Sequence, residues 1–250
     1  MFPEDYMLGV DDVLPDLTYV RHNRSRVAGI VLTHGHEDHI GGLPYLLRDI
    51  NVPVYGTAFS LELVRHKLEE HGLIDSATLH VISPRDRLRI GPFEIEFIRV
   101  CHSVVDGVGL SIRTPLGLIV HTGDFKIDHT APPSMKTDVN GFAKCGEEGV
   151  LALLSDSTNV EKEGYTISSD EIGATLSRVT AGRKGRIIVA LFASNINRIQ
   201  KIVDIAEKQQ RKIVFNGRSI ELSVKIAKEL GYLNIREDME IDVASLDAYG

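Results

Sequence analysis

The chain has 250 residues, of which 43% are hydrophobic and 25% are charged, and its formal net charge is −7. This composition is typical of a globular protein, and the length accommodates one large or two modest domains. No apolar run reaches the roughly 18 residues that a membrane-spanning helix needs. Met1–Tyr6 also lacks the basic and apolar regions of a secretory signal, so we expect no membrane association. The acidic balance argues against capture of nucleic acid by charge alone, but it does not exclude a nucleic acid substrate.

The two cysteines, Cys101 and Cys145, are too few for a disulfide framework. Free cysteines persist in a reducing compartment, so we expect a cytoplasmic location. A free cysteine also packs as a small hydrophobic residue. We therefore expect Cys101 to be buried rather than to act as a nucleophile, although His102 follows it.

Short apolar runs dominate the first part of the chain and predict strands. The predicted strands cover residues 28–33, 52–56, 78–82, 93–100, 109–114, 118–122 and 150–155. Residues 58–71 carry apolar side chains at helical spacing, and Gly72 ends this predicted helix. Pro115-Leu116-Gly117 predicts a tight hairpin. This succession favours a sandwich of mixed sheets covered by helices.

From about Ser168 the pattern changes to alternating helices and strands. Ser168 and Glu171 form a capping box that opens a helix running to about Thr180. A strand at 186–190, a helix at 195–209, a strand at 212–215 and a helix at 219–230 are predicted to follow. Such alternation predicts a second α/β domain with a parallel sheet. The polar stretch 159–166 marks the boundary, which gives domains 1–165 and 166–250.

The most informative segment is His34-Gly-His36-Glu-Asp38-His39, at the end of the first predicted strand. Three imidazoles and a carboxylate form a ligand set that divalent metals such as zinc prefer. Alternate residues of an extended strand share a face, so His34 and His36 can bind one metal. Asp38 and His39, beyond the turn, can begin a second site. The alternative is a solvated histidine-rich loop, and the ligand types that recur downstream argue against it.

Five segments, in order along the chain, resemble the metallo-β-lactamase superfamily. They are His34–Gly42, Phe97–Ser103, Leu118–Phe125, Leu153–Asn159 and Leu191–Asn195. The last two resemble the β-CASP branch, which processes nucleic acids, and within that branch the motifs are most similar to the bacterial ribonuclease J family. The resemblance implies an α/β fold class, with a metallo-β-lactamase αββα sandwich in residues 1–165 and an inserted β-CASP α/β domain in residues 166–250, both incomplete.

The resemblance also implies the metal ligands. The first metal takes His34, His36 and His102, the second takes Asp38 and His39, and Asp124 bridges the two. Two Zn²⁺ ions are expected, with Mn²⁺ or Mg²⁺ as alternatives, and such a pair activates water for phosphodiester hydrolysis.

Candidate catalytic and substrate-binding residues follow from the same resemblance. Asp38 and Asp156 are the candidate catalytic residues. Asp156 either orients a histidine ligand or delivers a proton to the leaving oxygen, and a cap on its own loop is the structural alternative. The candidate substrate-binding residues are Ser194, Asn195 and Arg198. The N-terminus of the helix beside them favours a phosphate, with simple helix capping by Ser194 as the equal alternative.

The resemblance implies a zinc-dependent ribonuclease, a 5′–3′ exonuclease or an endonuclease, that processes and degrades RNA, ribosomal RNA included, in the cytoplasm. RNA is the expected partner, and we expect the full-length parent to be a homo-oligomer, either a dimer or a tetramer. One alternative is a small-substrate hydrolase such as a lactonase or thioesterase, against which the α/β segment after Asp156 argues. Another is a non-catalytic zinc-binding module.

Members of the superfamily extend beyond both ends of this chain. Their later segments carry a further histidine of the second metal site and a phosphate pocket. We therefore expect this chain to be a fragment or a truncated gene product, with one complete metal site and one site that lacks a ligand.

Overall fold

The computed structural model describes residues 7–10 and 13–249. Met1–Tyr6, whose composition argues against a secretory signal, lies outside the described residues. The chain divides into two units. The first comprises the chain up to Val100, Asp106–Asp124 and Asp138–Ser155; the second comprises Cys101–Val105, Phe125–Thr137 and the chain from Asp156 onward. Over the described ranges, every helix falls short of the length and apolar character that crossing a bilayer requires.

Two sheets form in the first unit. Its strands are β1 (Ile30–Val31), β2 (Val54–Gly56), β3 (Leu79–Val81), β4 (Arg87–Ile90), β5 (Phe93–Arg99), β6 (Val108–Thr114), β7 (Gly117–His121) and β8 (Val150–Leu154). The smaller sheet has the order β1-β2-β3 and is parallel. The larger sheet has the order β4-β5-β6-β7-β8; it is antiparallel as far as β7, and β8 runs parallel to β7. Thr114 pairs with Gly117, which confirms the predicted hairpin between β6 and β7.

Helices occur in both units. Those of the first unit are α1 (Thr18–His22), α2 (Glu37–Ile40), α3 (Leu43–Leu47), α4 (Ala58–Glu70) and α5 (Val139–Glu148). Those of the second unit are α6 (Ser169–Thr180), α7 (Ile196–Lys208) and α8 (Arg218–Glu229). Short 3-10 helices lie at Arg24–Arg26, Ile74–Ser76 and Val243–Tyr249.

The first unit is a sandwich of four layers. Between the two sheets, Phe97 and Leu110 of the larger sheet belong to one apolar cluster with Val31 and Tyr55 of the smaller sheet. Helices α3 and α4 pack on the other face of the smaller sheet. On the other face of the larger sheet, Phe142 of α5 packs against buried residues of the strands. The helix–sheet–sheet–helix order confirms the predicted sandwich.

Strand β4 and helix α5 are among the elements of the first unit that the sequence-based prediction does not include. Strand β4 is short and rich in arginine, so it lacks the apolar run that marks the other strands. Helix α5 contains Gly141 and Gly146, which disfavour a helix. It forms because the Asp138 carboxylate caps it, accepting a hydrogen bond from Gly141 N at 3.1 Å, and because its Cys145 packs against the larger sheet. Tertiary contacts thus override local propensity.

In the second unit the predicted helices are confirmed and the predicted strands are wrong. Ser168 caps α6 as expected, its Oγ accepting from Glu171 N at 3.2 Å. Residues 186–190 form no strand, and in the predicted strand 212–215 only Ile213 makes a bridge, parallel to Glu240. Strand structure needs a neighbouring backbone to complete its hydrogen bonds, and an apolar run does not supply one. The expected parallel sheet is therefore not formed within the described part of this unit.

Candidate metal centre

The histidine motif lies where the chain turns from strand to helix. After β1, Leu32 and Thr33 lead to His34, which is buried with 1% of its side chain exposed. His36 precedes α2 with an extended backbone, and its carbonyl oxygen accepts hydrogen bonds from the N–H groups of His39 and Ile40, each at 3.0 Å. Asp38 and His39 therefore lie on the first turn of α2, as the sequence predicts, beyond the point where the chain changes direction.

Three imidazole rings converge at this turn. His34 Nε2 lies 2.9 Å from His36 Nδ1. The ring centroids of His34 and His36 are 4.8 Å apart, and those of His34 and His39 are 4.1 Å apart. Imidazole nitrogen atoms this close can each direct a lone pair at a common cation.

Asp124 lies among these rings. One carboxylate oxygen, Oδ2, is 3.7 Å from His34 Nε2, and the other, Oδ1, is 3.6 Å from His39 Nε2. The same nitrogen of His39 also lies 3.6 Å from Asp38 Oδ2. The two oxygens of Asp124 thus face two different histidines, which is the arrangement that a carboxylate bridging two cations requires.

The donor set fits a divalent metal. The ligand atoms of His34, His36 and Asp124 all lie within 4.8 Å of one another. Zinc binds histidine nitrogen at about 2.0–2.1 Å, so two ligands of one tetrahedral ion lie roughly 3.4 Å apart. The distances of 2.9 Å and 3.7 Å around His34 Nε2 bracket that value. Zinc is therefore compatible with both the chemistry and the spacing of these side chains.

The protonation state of His36 also suits a ligand. Burial lowers its pKa, and this effect outweighs the carboxylates of Asp38 and Asp124, which raise it. The imidazole is therefore neutral at pH 7. A neutral ring offers the lone pair that binding of a metal needs.

His102 and Asp156 both belong to the second unit. The segment that carries His102 is anchored at Cys101, whose carbonyl accepts from Lys126 N at 2.7 Å and whose N–H donates to Thr137 Oγ1 at 2.9 Å. His102 is close enough to Asp156 to lower the pKa of that carboxyl. The assignment of His102 as a metal ligand stays a prediction.

The Asp156 carboxylate is held by its neighbours. It accepts hydrogen bonds from Thr158 N at 3.0 Å, Thr158 Oγ1 at 2.8 Å and Phe125 N at 3.4 Å. Burial raises its pKa, but these hydrogen bonds and the charge of His102 outweigh burial and leave the pKa below its usual value. The two bonds from Thr158 form the cap on its own loop that is the structural alternative. Because the carboxylate is ionised at neutral pH, orienting a histidine suits it better than delivering a proton.

Ser194, Asn195 and Arg198 meet at the start of α7. Asn195, not Ser194, caps the helix: its Oδ1 accepts from Arg198 N at 3.1 Å. The side chains of all three residues are half-buried. Asn195 is thus a helix cap, and the assignment of all three residues to substrate binding stays a prediction.

Cys101 and Cys145 are both buried and unpaired, as expected. Burial raises the pKa of the Cys101 thiol, with the Lys126 ammonium opposing this effect. The thiol is therefore protonated at neutral pH and a poor nucleophile.

The sequence does not predict two carboxylates that hold neighbouring elements in place by accepting hydrogen bonds. Asp106, in the first unit, accepts hydrogen bonds at the start of α4. Asp128, in the second unit, accepts from Thr130 N and Oγ1 at 3.0 and 2.7 Å. Two sequence patterns could have indicated them. Asp106 is followed by Gly107, and Asp128 begins the same Asp-x-Thr pattern that Asp156 begins.

Two family models match the chain in sequence. Residues 11–143 match the model described as beta-lactamase superfamily domain. The chain belongs to the β-lactamase superfamily. Residues 184–250 match the model described as Ribonuclease J, beta-CASP domain, so the resemblance to the β-CASP branch of the superfamily is confirmed together with the α/β fold class.

Curated relatives within the superfamily carry the name ribonuclease J. The chain is 45% identical to ribonuclease J of Synechocystis over 240 residues, covering 95% of this chain and 38% of the relative. It is 45% identical to ribonuclease J 1 of Streptococcus pyogenes, covering 98% and 44%, and 41% identical to ribonuclease J2 of Bacillus subtilis, covering 100% and 45%. The chain therefore spans less than half of the length of each of these relatives.

Among solved structures, a protein of unknown function from Enterococcus faecalis is similar in fold. The TM-score is 0.60 at 18% sequence identity, and the match covers 87% of this chain and 55% of that chain. At this identity the match concerns the fold alone.

Proposed function

We propose that this protein is a metal-dependent ribonuclease that hydrolyses phosphodiester bonds in RNA. The observation that carries the proposal is the convergence of His34, His36, His39 and Asp124 on one point of the first unit. Three imidazoles and a shared carboxylate are suited to two cations acting on a phosphate. The relatives named ribonuclease J and the match of residues 184–250 to a ribonuclease J domain support RNA as the substrate.

In this proposal His34 and His36 hold one cation, with His102 as a further ligand, and Asp38 and His39 hold another. Asp124 is shared between them. Zinc is the expected metal because imidazole suits it, with Mn²⁺ and Mg²⁺ as alternatives. When bound, such a pair supplies water of lowered pKa and positive charge opposite the phosphate oxygens.

The chain's own residues then bind the substrate and handle protons. Asp38 is a candidate catalytic residue because 64% of its side chain is exposed beside His39, where a substrate can reach it. Asp156, which is ionised at neutral pH, orients His102, with proton delivery to the leaving oxygen as the alternative role. The guanidinium of Arg198 and the hydroxyl of Ser194 bind phosphate at the start of α7.

Cleavage is 5′–3′ exonucleolytic, endonucleolytic or both, and the full-length parent assembles as a homodimer or homotetramer. The location is the cytoplasm, which the two unpaired cysteines support because a reducing compartment preserves free thiols. Residues 1–165 form the lactamase-type domain, and residues 166–250 form the β-CASP domain.

The test is RNA hydrolysis by the purified chain in zinc or manganese. Single-stranded RNA labelled at the 5′ or the 3′ end separates the release of terminal nucleotides from internal cleavage. We expect H36A, which removes a ligand, to abolish cleavage while the fold persists, and H22A, which changes an exposed histidine outside the centre, to retain it.

Two outcomes contradict the proposal. Hydrolysis of a lactone or thioester with RNA left intact indicates the small-substrate hydrolase. Tight zinc binding without turnover of any of these substrates indicates a non-catalytic zinc-binding module.

A further inference from the structure

Asp106 is not a candidate metal ligand, yet its carboxylate binds the first turn of α4. Oδ2 accepts a hydrogen bond from Phe59 N at 2.9 Å, and Oδ1 accepts from Thr57 Oγ1 at 2.8 Å. Its backbone φ of +54° lies in the left-handed region, which is uncommon for residues other than glycine. Thr57 and Phe59 are both buried. A strained backbone of this kind persists where its contacts enforce it.

Helix α4 in turn contacts the histidine motif at two points. A Cβ added at Gly35 would lie 3.2 Å from Ser60 Cα and 3.0 Å from Leu63 Cδ1, so the helix lies directly against this glycine. One turn farther along α4, Lys67 Nζ lies 2.7 Å from Glu37 Oε2. The helix therefore touches the residue before His36 and the residue after it.

The residues after Asp106 contact the motif from the other side. Val108 N donates a hydrogen bond to Thr33 O at 2.8 Å, one residue before His34. A Cβ added at Gly107 would lie 3.7 Å from His34 Cβ. The segment 106–108 thus joins the start of α4 to the backbone that presents His34.

We propose that Asp106 is a positioning residue for the metal centre. Its carboxylate fixes the start of α4 through Thr57 and Phe59, and α4 fixes the turn that presents His34 and His36. The inference rests on the metal centre of the proposed function, but it concerns the geometry of the ligands and not the substrate. Loss of the carboxylate loosens that geometry and weakens zinc binding.

The decisive variant is D106G, because glycine adopts the left-handed backbone without strain and only the carboxylate is lost. The matched control is D138G, since the Asp138 carboxylate also accepts a hydrogen bond from the first turn of a helix of the same unit, α5, but as the N-cap residue of that helix. Zinc affinity is measured by competition with a chromogenic chelator. Ligand geometry is monitored by the visible absorption of the cobalt-substituted chain, and folding by circular dichroism.

We expect D106G to bind zinc about tenfold more weakly, as is found for residues that support a metal ligand. Its cobalt spectrum changes, whereas D138G retains the affinity and the spectrum of the unaltered chain. T57V, which removes the hydroxyl that donates to Asp106 and also bonds Ser60 Oγ, changes both in the same direction as D106G and serves as the test if D106G does not fold.

Equal zinc affinity and an unchanged cobalt spectrum in a folded D106G or T57V overturn the inference. A chain that binds no zinc at all overturns the inference and the metal centre together. Zinc binding that depends on Asp106, without hydrolysis of RNA, overturns only the proposed function.

Discussion

Gly123, directly before Asp124, illustrates how the centre depends on single backbone positions. Its φ is +59°, and an added Cβ would lie 2.8 Å from Val108 O and 3.2 Å from Thr33 Cβ. We expect G123A to lower the free energy of unfolding by about 2 kcal/mol, because alanine is strained in the left-handed region and has no space here. Urea denaturation measures the loss.

Gly146 is the matched control for this substitution. It lies within α5, and an added Cβ would meet no atom within 4 Å. We expect G146A to raise the free energy of unfolding by about 0.5–1 kcal/mol, because alanine favours a helix. A loss of stability in G146A equal to that in G123A would show that neither site behaves as its geometry indicates.

At the same scale, the sequence points to the candidate metal ligands better than to the residues that support them. His34, His36 and His39 are recognisable because their chemistry is carried by residue type and short spacing. Asp124 is distant in sequence and is found through its resemblance to a family motif. Asp106 escapes because its role depends on where the start of α4 lies in space, and an Asp-Gly pair by itself predicts only a turn.

At the scale of elements, Asp128 joins the segment 125–137 to α6 within the second unit. Its carboxylate accepts from Lys126 Nζ at 3.0 Å, from Ser169 N at 3.1 Å and from Ser169 Oγ at 2.7 Å. Burial raises the pKa of Asp128, but hydrogen bonds from Ser169, Thr130 and Lys126 outweigh burial and hold it well below its usual range. The ionised carboxylate therefore stabilises the folded state.

We expect D128N to be less stable than the unaltered chain by about 2 kcal/mol at pH 7, since hydrogen bonds to a charged group are replaced by weaker ones. The folded pKa is depressed, so this stabilisation is complete above the ordinary carboxyl pKa of 3.8 and is lost as the pH falls below it. Urea denaturation of both proteins between pH 7 and pH 3 measures the difference. A difference that is constant over this range would rule out the ionised carboxylate as its source.

Elements that satisfy their own hydrogen bonds are the ones that the sequence predicts well. Helices α4, α6, α7 and α8 are found within two residues of their expected ends, because periodicity and capping are local. The expected strands at 186–190 and 212–215 fail, since their formation requires a neighbouring strand. Helix α5 is missed for the converse reason, because packing against the larger sheet compensates for two glycines.

At the scale of the whole molecule, β8 lies at the edge of the larger sheet and its side chains are exposed. Leu151 and Leu153 have exposed fractions of 61% and 64%. An exposed apolar edge strand is a site for pairing between molecules, and a lysine on the edge opposes such pairing. We expect L153K to remain monodisperse at concentrations where the unaltered chain self-associates, as measured by light scattering.

Leu116 provides the control for this prediction. It is 87% exposed, but it lies in the hairpin between β6 and β7 and not on an edge strand. We expect L116K to self-associate as the unaltered chain does. If both lysine variants suppress association equally, net charge accounts for the effect and the strand edge does not.

The gradient of exposure across the metal centre has a kinetic consequence. The side chain of His34 is 1% exposed, that of His39 is 29% exposed and that of Asp38 is 64% exposed. In the proposed two-cation arrangement, a cation held by Asp38 and His39 would border the solvent, whereas one held by His34 would be bound to a side chain that solvent does not reach. We therefore expect the outer position to exchange with free metal in solution faster than the inner one.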